Sequence, residues 1–126
     1  MDRSTRQRDA IRALFTPKGR PLSPKEIQER ADREAPGISL ATVYRTVKAL
    51  EELGEIVRVE LPGETARYEL AGKEHHHHFQ CESCGRAFEI HGCPGGLGKL
   101  APPGFQVNRH EITLFGLCST CARKAG

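Results

Sequence analysis

Histidines and cysteines are concentrated in one short segment of the chain, HHHHFQCESC, which spans residues 75–84. Its two cysteines are separated by two residues, and a second pair with the same spacing lies near the end of the sequence. Two C-x₂-C pairs are typical of a four-thiolate structural zinc site, because each tight turn directs two thiolates towards one tetrahedral ion. The predicted zinc ligands are Cys81, Cys84, Cys118 and Cys121.

Disulfide bonds are the alternative use of these cysteines. The N-terminus is charged and contains no apolar segment of the kind found in secretory signals. No run approaches the roughly 18–20 apolar residues that a membrane-spanning helix requires. We therefore expect a soluble, cytoplasmic protein without a membrane partner, and a reducing cytosol favours metal binding over disulfide formation.

The four consecutive histidines directly precede the first cysteine pair. If they form a strand, His76 and His78 share one face while His75 and His77 share the other. Imidazoles two residues apart on a strand can chelate one ion, so this strand could serve two separate metal sites. The alternative is that these histidines only decorate the strand. The fifth cysteine, Cys93, is interpreted as an incidental loop thiol because its neighbours offer no second donor at ligand spacing.

Composition limits the size of any hydrophobic core. The chain has 126 residues, is 37% hydrophobic and contains no tryptophan, so a metal ion is a reasonable supplement to small cores. The net charge is +3, but residues 1–50 carry eleven Lys and Arg against six Asp and Glu. Positive charge concentrated in the first part of a chain indicates a nucleic-acid partner or a solvated helix face.

Helical spacing of apolar residues and favourable capping residues predict three helices in the first half of the chain. They cover residues 4–15, 23–34 and 39–53, with N-caps at Ser4 or Thr5, at Ser23 and at Ser39. The second and third helices, joined by a short break, form a helix-turn-helix pattern in which the early residues of the last helix reach DNA. The candidate DNA contacts are Thr42, Tyr44, Arg45 and Lys48 on that helix and Arg6 near the start of the first helix. An ordinary helical hairpin is the alternative interpretation.

Two alternating segments, residues 56–61 and 65–70, predict a β-hairpin after the third helix. Three helices followed by a hairpin are typical of a winged-helix domain, and we place its boundary before the glycine hinge at Gly72. The predicted fold class is therefore α+β, with a winged helix-turn-helix domain over residues 1–71 and a small α/β dimerisation domain over residues 72–126.

In the second domain we predict a three-stranded antiparallel sheet formed by residues 75–80, 86–90 and 105–117. The intervening segment is too rich in glycine and proline for a regular helix. An open edge of such a sheet can pair with a second copy of the chain, which points to a homodimer.

The segments SLATVYRTV, YEL, HHHHFQCESC and LFGLCSTC resemble those of the ferric uptake regulator family, and the resemblance extends over nearly the whole chain. It implies a dimeric, metal-responsive winged-helix repressor that binds double-stranded operator DNA and is not an enzyme. It also implies structural Zn²⁺ at the four paired cysteines and DNA contacts by Tyr44 and Arg45.

The same resemblance implies two further metal sites. Glu69, His76 and His78 match ligands of a regulatory site joining the two domains, and Glu89 matches a residue sometimes recruited there. The residues that match a further site within the dimerisation domain are His75, His77 and His110.

Two features depart from the family pattern. Pro21 occupies a position where the family often has a histidine ligand, so the regulatory site requires another fourth ligand, such as Glu89, His91 or Cys93, or a water molecule. In addition, the segment after residue 90 is shorter than usual and lacks the expected helix with its glutamate ligand.

The regulatory metal is expected to be Zn²⁺, because four consecutive histidines make the site rich in nitrogen and resemble the zinc uptake regulators most. Fe²⁺ or Mn²⁺ is the alternative, including a peroxide-sensing regulator that uses bound iron. Two alternatives of other classes are a metal-dependent enzyme, for which no HExxH motif or nucleophile elbow is present, and a thiol redox module.

Overall fold

The computed structural model describes residues 2–63 and 65–125. Within it, the chain divides into two compact units between Lys73 and Glu74. None of the helices formed by the described residues has the length and hydrophobicity that a bilayer crossing requires.

The first unit contains three helices followed by an antiparallel hairpin. The helices are α1 (Arg3–Arg12), α2 (Pro24–Glu34) and α3 (Leu40–Glu52), and the strands are β1 (Ile56–Val59) and β2 (Arg67–Leu70). In the hairpin, Ile56 lies opposite Leu70 and Val59 lies opposite Arg67. This order is that of a winged helix, as the sequence predicts.

One hydrophobic core holds this unit together. Ile11 of α1, Ile27 of α2, Val43 and Val47 of α3 and Ile56 of β1 are each at most 2% exposed. Burial of a large aliphatic side chain contributes about 1.5–3 kcal/mol, so these contacts dominate the stability of the unit. Helix α3 is therefore fixed on a rigid base.

Helix α2 begins as expected, whereas α1 does not. Ser23 Oγ accepts a hydrogen bond from the backbone N–H of Glu26, and the Glu26 carboxylate accepts one from the backbone N–H of Ser23, completing a capping box. The cap predicted at Ser4 or Thr5 is wrong, because Asp2 Oδ1 accepts from the Thr5 backbone N–H at 2.7 Å and starts the helix earlier. Aspartate is among the strongest N-cap residues, which explains the shift.

The second unit is built on a small sheet. Its strands are β3 (His77–Cys81), β4 (Ala87–Ile90) and β5 (Thr113–Gly116), accompanied by a 3₁₀ helix (Leu97–Leu100) and a closing helix α4 (Ser119–Ala125). Strand β3 lies at the centre, between β4 and β5. The unit is thus an α/β structure, although the sequence interpretation did not anticipate α4.

The prediction that this sheet is antiparallel is wrong for one of its two pairings. Strands β3 and β4 are antiparallel, whereas β3 and β5 are parallel, with His78 opposite Thr113 and Cys81 opposite Gly116. The cause is the long segment between β4 and β5, which crosses back before β5 begins; a parallel neighbour requires such a crossover. For the same reason β5 is shorter than the predicted strand at residues 105–117.

Candidate metal centres and nucleic-acid interface

The four paired cysteines converge at one end of the sheet in the second unit. Cys81 ends β3, Cys84 lies in the following turn, and Cys118 and Cys121 lie after β5, at the start of α4. All four sulfur atoms lie within 4.8 Å of one another, and the Sγ atoms of Cys84 and Cys118 are 3.9 Å apart. Tetrahedral zinc with Zn–S bonds of about 2.3 Å requires sulfurs roughly 3.8 Å apart, so the donor set and its spacing fit Zn²⁺.

Backbone N–H groups favour thiolates at this cluster. The N–H groups of Cys84 and Cys118 each lie 3.4 Å from Cys81 Sγ and donate to it. The donation from Cys118, followed by that from Cys84, lowers the pKa of Cys81 to about 6, whereas desolvation raises the pKa of Cys84 to about 11. Cys81 is therefore a ready thiolate, whereas Cys84 must release its proton when an ion binds, which makes binding stronger at higher pH.

A second cluster forms beside the start of β3 and includes Cys93, which was expected to be an incidental loop thiol or a fourth ligand of the regulatory site. His75, His77 and His110 lie together, and their donor atoms and the Sγ of Cys93 are all within 4.8 Å of one another. Nε2 of His75 and Nε2 of His77 are 3.1 Å apart, as are Cys93 Sγ and His110 Nε2. Desolvation, followed by the neighbouring histidines, lowers the pKa of His77, so its ring is neutral at pH 7, as a ligand must be.

His76 and His78 form a separate pair in the second unit. Their ring centroids are 4.8 Å apart, and Nδ1 of His76 lies 2.7 Å from the backbone oxygen of Glu74. Glu89 on β4 lies directly opposite His78 in the strand register, and its carboxylate is 3.5 Å from Nε2 of His91.

In the first unit, Glu69 lies on β2 and is buried, with a carboxylate oxygen 3.7 Å from the ammonium of Lys73. Lys73 also donates to the backbone oxygen of Gly19 at 2.7 Å. Pro21 is fully buried and carries no donor, so the first unit offers no metal ligand at that position.

The predicted DNA-binding residues lie on the outside of the first unit. Tyr44 is 49% exposed, and Arg45 and Lys48 also face solvent on α3. The guanidinium of Arg45 donates to Thr42 Oγ1 at 3.2 Å, and this hydroxyl in turn contacts the capping Ser39 at 3.0 Å. These contacts hold Arg45 in the N-terminal half of the helix, where a recognition helix meets base edges.

A shallow cleft of about 400 Å³ lies between α1 and α3 of this unit. Arg3, Arg8 and Arg45 line it together with Thr42, while Arg6 is exposed on α1. Three guanidinium groups beside a recognition helix are suited to phosphate oxygens. Arg3 was missed as a candidate; its proximity to α3 depends on how the helices pack, which no local pattern shows.

Sequence reasoning did not place Cys93 with His75, His77 and His110. The one available signal was the odd number of cysteines, because five cysteines leave one thiol beyond the two pairs. Its proximity to His110 follows from the path of the long segment between β4 and β5, which spacing alone cannot predict.

Comparison with known proteins gives a consistent result. A model of the "Ferric uptake regulator family" matches residues 2–115. A ferric uptake regulation protein of Staphylococcus epidermidis is 36% identical over 122 residues, covering 96% of this chain and 87% of the relative.

Two solved structures are similar over most of their length. A zinc-bound manganese uptake regulator superposes with a TM-score of 0.73 at 30% identity, covering 89% of this chain and 87% of the other. FurB of Mycobacterium tuberculosis, a zinc uptake regulator, superposes with a TM-score of 0.51 at 32% identity, covering 94% and 95% of the two chains.

Substitution of Cys84 by serine tests the thiolate cluster. Because structural zinc contributes on the order of 10 kcal/mol to folding, Cys84→Ser should purify without tightly bound zinc and with an unfolded second unit. Elemental analysis of the purified protein and thermal unfolding followed by circular dichroism measure both effects. The matched control, Ser83→Ala, changes an exposed neighbour in the same turn and should retain zinc. Undiminished zinc in Cys84→Ser would contradict the assignment.

Proposed function

Because the chain belongs to the ferric uptake regulator family, whose members are metal-responsive transcriptional regulators and not enzymes, we propose that it is a zinc-sensing repressor of metal-homeostasis genes. It acts as a homodimer on double-stranded operator DNA. The observation that carries this proposal is the presence of histidine pairs on β3 beside a four-cysteine cluster, in a chain whose other unit is a winged helix.

DNA recognition is assigned to α3 and the cleft beside it. The exposed Tyr44 and Arg45 reach base edges in the major groove, and Thr42 orients the Arg45 guanidinium. Arg6 and Lys48, both exposed, bind phosphates and set the orientation of the protein on the duplex.

The cysteine cluster is assigned a permanent structural zinc ion. Four protein thiolates leave no open coordination position, which is typical of structural rather than catalytic or sensing sites. The ion joins the turn after β3 to the start of α4 and thereby holds the second unit together.

The sensing ion is assigned to His76 and His78 of the second unit and Glu69 of the first, with Glu89 as a further ligand. The support is the close pair of His76 and His78 rings and the resemblance of these residues, in the sequence, to the ligands of the family's regulatory site. An ion held by residues of both units restricts the angle across the Gly72 hinge. In a dimer this angle sets the distance between recognition helices, which must match half-sites about 34–36 Å apart. Converting a mostly inactive population into a mostly active one requires about 5.5 kcal/mol of differential binding.

Zinc is proposed as the sensed metal on ligand type. Imidazole-rich sites favour zinc over manganese, although Fe²⁺ also accepts such ligands. The relatives named above are described as iron, manganese and zinc regulators, so the family does not decide between the metals. Fe²⁺ or Mn²⁺ sensing, including peroxide sensing through bound iron, is the second candidate. A purely thiol-based redox response would instead lose DNA binding on mild oxidation without any change in added metal.

Dimerisation is assigned to the sheet of the second unit. Strand β5 is an edge strand, and Leu114, Phe115 and the following Leu117 are 51%, 49% and 44% exposed. An apolar edge strand of this kind is a template for pairing with another chain.

Removal of the two sensing histidines tests the regulatory site. His76→Ala combined with His78→Ala should keep the cysteine-bound zinc and the fold but abolish the increase in operator affinity on adding zinc. Fluorescence anisotropy with operator DNA across Zn²⁺, Mn²⁺ and Fe²⁺ measures the effect and identifies the metal. Gln106→Ala combined with Asn108→Ala, two exposed residues of the same unit, is the control. Metal-dependent binding that survives in the histidine variant refutes the assignment.

Replacement of Arg45 tests the recognition helix. Arg45→Ala should lower operator affinity by about 1–3 kcal/mol if the guanidinium binds a base, and should reduce the salt slope by about 1 if it binds a phosphate. Lys99→Ala, which removes one exposed positive charge from the second unit, should change neither quantity. Equal losses in the two variants would show that only net charge matters.

A charge on the edge strand tests the dimer interface. Leu114→Asp should convert the dimer to a monomer, because an unpaired carboxylate buried in an interface costs several kcal/mol. Sedimentation velocity measures the oligomeric state. Leu53→Asp, at a residue 71% exposed in the first unit, should remain dimeric. A dimer that persists in Leu114→Asp places the interface elsewhere.

A further inference from the structure

The histidine cluster on β3 contains a sulfur donor as its fourth member. Three separate segments supply the donors: the start of β3 with His75 and His77, the segment after β4 with Cys93, and the segment before β5 with His110. Within the part of the chain that the structure describes, this is the one such cluster that combines imidazole and thiol groups.

The distances fit a tetrahedral ion. Zinc bonds of about 2.0–2.1 Å to nitrogen and 2.3 Å to sulfur place two nitrogens roughly 3.3 Å apart and a nitrogen and a sulfur roughly 3.5 Å apart. The contacts between His75 and His77 and between Cys93 and His110 are both 3.1 Å. The rings of His75 and His77 each lie 5.1 Å from that of His110, measured between centroids. The four donors thus surround one position rather than forming two unrelated pairs.

The segment that carries Cys93 and His110 has no hydrophobic anchor of its own. Residues 91–111 include none that is buried, and their only regular structure is one turn of 3₁₀ helix. Gly92 adopts a φ of +143°, a conformation that L side chains rarely adopt, directly before Cys93. Ordering such a chain costs about 1–2 kcal/mol per residue in entropy, and a metal ion attached to both ends of the segment can offset part of this cost.

One hydrogen bond to His77 opposes ion binding and indicates which proton must move when an ion binds. The backbone N–H of Ile112 donates to Nδ1 of His77 at 3.2 Å, so the neutral ring carries its proton on Nε2, facing His75. An ion bound at Nε2 requires this proton to move to Nδ1 and the contact with Ile112 to lengthen.

We propose that Cys93 supplies a thiolate as the fourth ligand of the metal site that the family resemblance implies at His75, His77 and His110, which makes it a closed zinc site with three nitrogen ligands and one sulfur ligand. The thiolate selects Zn²⁺ over Mn²⁺ and Fe²⁺, because soft sulfur ligands bind manganese weakly. Four protein ligands leave no open position, so the site fixes the segment between β4 and β5 to the centre of the sheet. This site goes beyond the proposed function, because it requires neither DNA nor the sensing ion.

Cobalt titration of protein that keeps zinc at its cysteine cluster tests the site. Added Co²⁺ should produce a thiolate-to-cobalt charge-transfer band in the near ultraviolet in the unaltered protein. Cys93→Ser should lose this band and bind the ion at least about tenfold more weakly. The sensing histidines offer no sulfur, so their occupancy does not contribute to the band. Asn108→Ala, at an exposed residue of the same segment that belongs to no assigned site, is the control and should keep it.

Alkylation provides a second readout. Cys93 is exposed, so it should react with iodoacetamide in protein that holds zinc only at its cysteine cluster, and saturating Zn²⁺ should protect it. His110→Ala should remove this protection while leaving the thiol reactive. An unchanged cobalt band in Cys93→Ser, or alkylation of Cys93 at the same rate with and without zinc, overturns the proposal. Neither readout involves DNA, so failure here leaves the proposed repressor function untouched.

Discussion

Metal coordination is the constraint on which the second unit depends, because its side chains bury little apolar surface. In the first unit, a core cluster of aliphatic and aromatic residues from three helices and a hairpin supplies the stability. Among the described residues of the second unit, the fully buried side chains are those of His77, Gln80, Cys81 and Ala87, and two of these belong to ligand clusters. A unit of about fifty residues rarely supplies more than 3–5 kcal/mol from packing alone. The zinc–thiolate bonds proposed at the cysteine cluster therefore replace a hydrophobic core rather than supplement one.

The alternation of side chains along a strand explains how the short segment of four histidines can serve two metal sites. His75, which lies just before β3, and His77 lie close to His110, whereas His76 pairs with His78. Because neighbouring side chains point to opposite faces, the two pairs do not compete for the same ion. Substitutions in one pair can therefore leave the other site intact, which makes the two sites separable by experiment.

The helices and strands of the first unit could be predicted from the sequence, because capping residues and hydrophobic periodicity are local signals. Ser23 and Glu26 form the expected capping box, and α3 and the hairpin lie where periodicity placed them. The second unit was harder to predict. The parallel pairing of β3 with β5 depends on a crossover through residues 91–112, whose glycines and prolines carry no periodic signal. The zinc-ligand role of the two cysteine pairs could be predicted from their spacing. The contact between Cys93 and His110 could not, because the two residues are distant along the chain and meet only through that crossover.

The thiolate proposed at the site of His75, His77, Cys93 and His110 changes the interpretation of the missing glutamate ligand. The expected helix with a glutamate ligand does not form after β4; a glycine-rich segment and one 3₁₀ turn take its place. Glycine at position 92 lets the backbone take the φ of +143° that precedes Cys93, so the same residues that prevent a helix permit the sulfur to reach His110. Replacing a hard carboxylate by a soft thiolate narrows the range of acceptable ions towards zinc. The shortened segment therefore indicates that a thiolate has replaced the carboxylate ligand of the site, not that the site has been lost.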